Sequence, residues 1–102
     1  MLNPKQKAYL KSLAHSLKPV FQIGKEGLNE NMLNDILNYL KKHELMKISI
    51  LQNSFVTFDE AEAYFEMAGI EFVQSIGRTM VLYKHSDDAK NPIVIPTKIK
   101  ES

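Results

Sequence analysis

Residues 19–42, PVFQIGKEGLNENMLNDILNYLKK, place a two-glycine turn, Ile23-Gly24-Lys25-Glu26-Gly27-Leu28, between an apolar run and an amphipathic run. Glycine reaches left-handed backbone conformations and lets a ligand approach main-chain amides. The helix that follows offers free N–H groups and the positive end of its dipole. The turn therefore suits a phosphate, with Lys25 as a mobile cation and Glu26 opposing it. Taken alone, such a turn is more often an ordinary strand-to-helix connection.

The composition predicts a single soluble domain. A chain of 102 residues with 44% hydrophobic content supports one core. The absence of cysteine excludes disulfides, thiolate metal sites and cysteine nucleophiles, and it fits a reducing compartment. No apolar run approaches about 18 residues, and the first residues lack the apolar segment of a signal peptide. We expect a cytoplasmic protein that does not enter a membrane.

The net charge of +1 conceals an uneven distribution along the chain. Residues 1–25 carry five lysines and no acid, residues 26–72 carry three lysines and nine acids, and residues 73–102 carry five basic and three acidic residues. This segregation predicts a basic face, which a polyanion such as a nucleic acid needs.

The first helix is predicted from Asn3-Pro4, with Gln6 as the capping-box partner. We expect it to end near Leu17, because Pro19 disfavours helical geometry in the residue before it. Helical spacing predicts a buried stripe of Leu10, Leu13, Ala14 and Leu17. Lys7, Lys11 and His15 recur every four residues away from that stripe and form either a basic ridge for a ligand or a solvated face.

The later elements follow from periodicity and turn signals. A largely buried strand is predicted at Pro19–Ile23, and the next strand has Lys47 and Ser49 facing away from its apolar side. Arg78 lies at a hairpin tip, where it either contacts a partner or is an ordinary turn residue. The predicted elements are a helix over Asn29–Lys42, a strand over Leu45–Leu51, a third helix opened by a capping box of Thr57 and Glu60 and stopped by Gly69, and strands over Ile70–Ile76 and Met80–Lys84.

The order α-β-α-β-α-β-β predicts one α/β (α+β) domain, a four-stranded mixed sheet with three helices whose first strands are parallel. We assign residues 1–84 to this domain and residues 85–102 to a C-terminal extension that is partly extended or flexible. Three short helices cannot cover both faces of the sheet equally.

No residue pattern indicates catalysis, a cofactor or a metal. His15, His43 and His85 are scattered without metal-ligand spacing, and no nucleophile motif is present. The acids of the third helix, Asp59, Glu60, Glu62 and Glu66, complement the helix dipole and repel phosphate.

Several separated motifs resemble the bacterial YhbY proteins, the stand-alone form of the CRM domain, an RNA-binding module that also occurs in plant organelle splicing factors. The resemblance spans about residues 2 to 84. It rests on Lys5-Gln6-Lys7-Ala8-Tyr9-Leu10, Ala14-His15 with Leu17 and Pro19, Ile23 to Leu28, Glu44-Leu45-Met46-Lys47, and Ile76-Gly77-Arg78 through Val81-Leu82-Tyr83.

The resemblance implies a fold like the C-terminal domain of translation initiation factor three and association with precursors of the large ribosomal subunit. It also implies a GxxG loop comparable to that of KH domains. The matching positions are Gly24, Lys25, Glu26 and Gly27 in the loop, Lys5, Lys7, Lys11 and His15 in the first helix, and Gly77 with Arg78 in the hairpin. Lysine replaces the arginine that relatives often carry at Lys7 and Lys11, so those contacts should be less geometrically specific.

We therefore predict a monomeric, non-catalytic RNA-binding protein that acts on ribosomal RNA during large-subunit assembly. The positive field comes from Lys5, Lys7, Lys11, Lys18, Lys47 and Arg78 around the glycine loop. An alternative is a protein-interaction module that docks through the acidic third helix and the Ile93-Val94-Ile95 tail. An RNA-cleaving enzyme using His15 is a third possibility, and nothing in the sequence assembles a site for it.

Overall fold

The computed structural model describes residues 2–89 and 93, in which one mixed sheet carries helices on both faces. Strand β1 pairs in parallel with β2, and β4 lies between β2 and β3, antiparallel to both, in the order β1-β2-β4-β3. The elements are α1 (Pro4–Ala14), β1 (Pro19–Ile23), α2 (Glu30–His43), β2 (Leu45–Ile50), α3 (Phe58–Met67), β3 (Glu71–Ile76) and β4 (Thr79–Tyr83). The predicted element order and mixed α+β sheet are confirmed.

The helices begin where their capping residues predict. The Asn3 side chain accepts from the Gln6 N–H at 2.8 Å, and the Gln6 side chain accepts from the Asn3 N–H at 3.0 Å. Thr57 and Glu60 form the same reciprocal pair before α3. Asn29 caps α2 by accepting from the Met32 N–H at 2.8 Å. These short-range bonds satisfy N–H groups that a helix start leaves free.

Two apolar clusters sandwich the sheet. Helices α2 and α3 pack on one face, where the alternating residues Met46, Ile48 and Ile50 of β2 are buried as predicted. Helix α1 packs on the other face through Leu10 and Ala14. The second cluster is completed by Leu45, Val73, Val81 and Tyr83, with Leu2 and Ile93 packed against it. One short helix leaves part of that face uncovered.

Three predictions at the start of the chain are wrong. Helix α1 ends at Ala14 rather than near Leu17, and Leu13 and Leu17 are each 37% exposed rather than buried. The buried stripe of α1 is Gln6, Leu10 and Ala14. Strand β1 is also far less buried than predicted, with only Ile23 fully enclosed, because it is an edge strand paired on one side only.

The C-terminal extension is described only at residues 85–89 and 93, and the predicted tail residues Val94 and Ile95 lie outside that part of the chain. Where it is described, the extension is bonded to the domain: the Ser86 and Ile93 N–H groups donate to the Glu44 side chain. Within residues 2–89, no helix has the length and apolarity needed to cross a membrane.

Candidate functional site

The glycine turn follows β1 at the end of the sheet where β2 also ends. The Gly27 N–H donates to the Gly24 carbonyl at 3.1 Å, which closes the turn, and Gly27 has a φ of +67°. A side chain at Gly27 would therefore be strained, and its Cβ would lie 3.3 Å from Val56 Cγ2. Lys25 and Glu26 project from the tip and are exposed. The turn also leaves little space for a side chain, because the neighbouring loop lies against it.

The N-terminus of α2, directly after this turn, is partly satisfied by the chain itself. Asn29 accepts from the Met32 N–H, and Glu30 places a carboxylate in the first turn. Both Glu26 and Glu30 reduce the attraction of the helix dipole for an anion. The cation that the turn offers to a phosphate is Lys25.

Arg78 lies next to the glycine turn through contacts that are distant in sequence. Its Nε donates to the Ile50 carbonyl at 2.7 Å and its Nη2 donates to the Leu51 carbonyl at 2.9 Å. The Leu51 N–H in turn donates to the Ile23 carbonyl at 2.8 Å, just before Gly24. A guanidinium has five N–H donors, so these two bonds fix the group and leave other donors for a ligand. Arg78 thus links the hairpin to the end of β2 and is also an exposed cation.

The part of the sheet that α1 leaves uncovered forms a concave surface, here called the sheet groove, of about 280 Å³. Lys47 of β2 lines it, opposite Val81 of β4, and His15 lines it from the end of α1. The lining residues are His15, Pro19, Lys47, Gln74, Ile76, Thr79 and Val81. Ile76 and Thr79 flank the hairpin tip, so the groove runs up to Gly77 and Arg78. Lys18 is exposed beside Pro19 at its border.

The basic residues of α1 lie along one ridge that meets the groove only at its C-terminal end. Lys11 and Lys7 precede His15 by one and two helical turns. At the other end of α1, Gln6 shares a concavity with Tyr83, which pairs with the first residue of β2. The glycine turn follows the last residue of β1, which pairs with the last residue of β2. Lys5 therefore lies near the end of the sheet opposite the glycine turn.

The acidic residues of α3 lie away from the groove. Helix α3 packs on the sheet face opposite α1, and three of its four acids are exposed there, with Glu62 half-buried. Among residues 2–89 and 93, no group of three or more histidine, aspartate or glutamate side chains could hold a metal ion. The fold thus places the acids of α3 and the basic ridge of α1 on opposite faces of the sheet.

Two residues with prominent structural positions were missed by sequence reasoning. Glu44, quoted only as part of a motif, is completely buried and has a φ of +65°. Phe55, in the loop between β2 and α3, is 92% exposed and was not singled out in the sequence. The local sequence does carry a signal for Phe55, because Val56 already fills the apolar position before the Thr57 capping box.

Comparison with known proteins agrees with this architecture. The chain is 47% identical over 91 residues to a Bacillus subtilis protein named "Probable RNA-binding protein YqeI", covering 88% of this chain and 95% of that protein. It is 40% identical over 98 residues to a Haemophilus influenzae protein named "RNA-binding protein", covering 95% of this chain and 97% of that one. The solution structure of a hypothetical protein from Staphylococcus aureus matches with a TM-score of 0.71 and 43% identity, over 94% of this chain and 100% of that chain.

Residues 2–84 also match the CRS1 / YhbY (CRM) domain, which covers both the sheet groove and the glycine turn. The chain therefore belongs to the CRS1/YhbY (CRM) domain family.

Proposed function

We propose that this protein is a monomeric, cytoplasmic RNA-binding factor that associates with ribosomal RNA of large-subunit precursors and catalyses no reaction. The observation that carries the proposal is the sheet groove, where Lys47 and His15 line an open surface next to the hairpin that carries Arg78. Arg78 in turn is bonded to Leu51, beside the glycine turn. Two relatives are named as RNA-binding proteins, which supports the proposal that this protein binds RNA. The ribosomal assignment rests on the resemblance of the motifs to YhbY proteins.

In this proposal, the phosphate backbone of the RNA follows the ridge of α1 into the sheet groove. Lys7, Lys11 and Lys47 neutralise phosphates, and Lys25 and Arg78 hold the strand at the glycine turn. Such contacts position RNA but carry little sequence information. We expect selection by RNA shape or structure, with the acidic α3 face directed away from the nucleic acid.

Salt dependence of RNA affinity tests the surface directly. Each phosphate contact contributes about 0.7–0.9 to the slope of log affinity against log salt. Lys7→Glu with Lys11→Glu should weaken binding and flatten this slope by about 1.5. The matched control is Lys41→Glu with Lys42→Glu, which makes the same charge change on exposed residues of α2, on the opposite face.

Equal effects of the two pairs would contradict the proposed surface, because they would indicate attraction by total charge alone. The ribosomal assignment has its own test, which is crosslinking in cells followed by mapping of the crosslinked RNA. We expect crosslinks concentrated in ribosomal RNA of large-subunit precursors. Crosslinks spread over messenger RNA would overturn that assignment and leave RNA binding intact.

A further inference from the structure

Phe55 is the most exposed large apolar residue in the described part of the chain, at 92%. A large aromatic side chain normally buries about 150–250 Å² when a protein folds. Single exposed apolar residues are common on protein surfaces, so exposure alone does not indicate a function. The position of Phe55 and the hydrogen bonds that hold its loop are what indicate a function.

The loop that carries Phe55, residues 51–57, is held by hydrogen bonds within the loop and, at Leu51, by bonds to Ile23 and Arg78. The Ser54 N–H donates to the Leu51 carbonyl at 3.0 Å, and the Val56 N–H donates to Ser54 Oγ at 3.2 Å. Val56 packs against the apolar cluster, immediately before the capping residue of α3. Val56 thus supplies the apolar contact that stabilises the helix start, and Phe55 is held facing solvent without a packing role.

The same loop packs against both glycines of the turn. A Cβ on Gly24 would lie 3.6 Å from Leu51 Cδ1, and one on Gly27 would lie 3.3 Å from Val56 Cγ2. Leu51 is also the residue whose carbonyl accepts from Arg78 Nη2. Phe55 is therefore one residue along the chain from the contact with Gly27 and four from the contact with Arg78. The loop therefore carries an exposed aromatic ring close in sequence to the residues that contact the glycine turn and Arg78.

A phosphate and a base belong to the same nucleotide, so neighbouring cations and an aromatic ring can contact one nucleotide together. An aromatic ring stacks on any base, because every base has a π face, but the base must be unpaired. We infer that Phe55 stacks on an unpaired RNA base whose backbone lies at the glycine turn and Arg78. The inference rests on the proposed RNA binding and adds that the bound RNA includes a single-stranded segment, such as a loop or a bulge.

The chain contains no tryptophan, so Phe55→Trp introduces a single indole whose fluorescence reports on stacking. We expect single-stranded RNA to quench this fluorescence. An abasic strand of equal length, which keeps the phosphates, should leave it unchanged. Met67→Trp is the matched control, because Met67 is 89% exposed near the end of α3. Its fluorescence should not change with either strand.

Affinity measurements give an independent test. Phe55→Ala should weaken binding of single-stranded RNA by about 5- to 100-fold. It should leave the salt slope and the affinity for the abasic strand unchanged, because no phosphate contact is lost. Phe55→Tyr should bind like the unaltered protein, since it keeps an aromatic ring.

Unchanged affinity in Phe55→Ala, or equal quenching by normal and abasic strands, would overturn the stacking assignment. If Lys7→Glu with Lys11→Glu weakens RNA binding while Phe55→Ala does not, the proposed RNA surface stands and only the stacking role fails. If the unaltered protein binds neither single-stranded nor structured RNA, both fail. If Phe55→Ala abolishes a protein contact that survives nuclease treatment while RNA affinity is unchanged, Phe55 serves protein docking instead.

Discussion

Glu44 should contribute more to stability than its place in a one-residue connection suggests. It is the C-cap of α2, and its side chain is completely buried. One carboxylate oxygen accepts from the Ile93 N–H at 2.7 Å, and the other accepts from the Ser86 N–H at 2.8 Å and lies 3.0 Å from His85 Nδ1. Its carbonyl accepts from the Lys84 N–H at 2.9 Å. This residue ties the end of α2 to the segment after β4.

The expected loss can be worked out from these contacts. Glu44→Ala leaves two backbone N–H groups without their acceptor, and a hydrogen bond to a charged group contributes about 1.5–3 kcal/mol. Relief of the cost of burying a carboxylate offsets part of this loss. We expect the free energy of unfolding to fall by about 2–4 kcal/mol. That is a large fraction of the roughly 5–15 kcal/mol that stabilises a domain.

The left-handed backbone at Glu44 supplies an internal control. Glu44→Gly removes the same carboxylate but also the strain of a Cβ at a φ of +65°. It should therefore be about 1 kcal/mol more stable than Glu44→Ala. His85→Ala removes only the exposed imidazole and should change stability by about 0.5 kcal/mol or less.

Urea denaturation followed by circular dichroism measures these differences, and amide hydrogen exchange localises them. Both Glu44 variants should lose protection at the Ser86 N–H while the interior of α2 keeps it. Glu44 has no such stabilising role if Glu44→Ala unfolds at the same urea concentration as the unaltered protein and its Ser86 N–H stays protected.

Three further predictions concern other parts of the fold. Burial of Tyr83, followed by the charges of Glu44 and Glu71, raises its pKa above the usual 10.0. The unfolded chain then loses this proton first, so stability should decline as pH rises from about 10 through the folded-state pKa, and urea midpoints of Tyr83→Phe should show a shallower decline. Gly27→Ala should lower the free energy of unfolding by about 1–2 kcal/mol, because Gly27 has a positive φ and its Cβ would contact Val56. Gly24→Ala should lower it by less than about 1 kcal/mol. Equal losses in thermal unfolding would contradict the geometry of the turn. Arg78→Lys keeps the charge but loses the paired bonds to the Ile50 and Leu51 carbonyls, so urea midpoints should show a loss of about 1–2 kcal/mol, and an unchanged midpoint would rule out a clamping role.

The fold could be predicted from the sequence where the interaction that determines it joins residues close along the chain. The capping pairs at Asn3 and Thr57 are three residues apart, and both form as predicted. The alternation around Lys47 correctly predicted which side of β2 is open. The burial of β1 was predicted wrongly, because a strand of apolar residues looks the same at the centre and at the edge of a sheet, and only the strand order decides its exposure.

The candidate site could be predicted as a set of residues but not as an arrangement. The sequence identified Arg78 and the glycine turn, but the bonds that bring them together join residues 27 and 28 positions apart. The bonds of Glu44 to Ser86 and Ile93 join residues 42 and 49 positions apart. No local pattern encodes such contacts, since they depend on β4 being inserted between β2 and β3.

Leu2 and Ile93 pack against the same apolar cluster, beside the start of β2. The glycine turn and the hairpin tip lie at the other end of that strand. A tag or fusion partner attached before Leu2 would therefore emerge on the side remote from the groove's hairpin end. Such a handle would allow the protein to be immobilised, or joined in tandem with a second module, while the surface around Arg78 stays accessible.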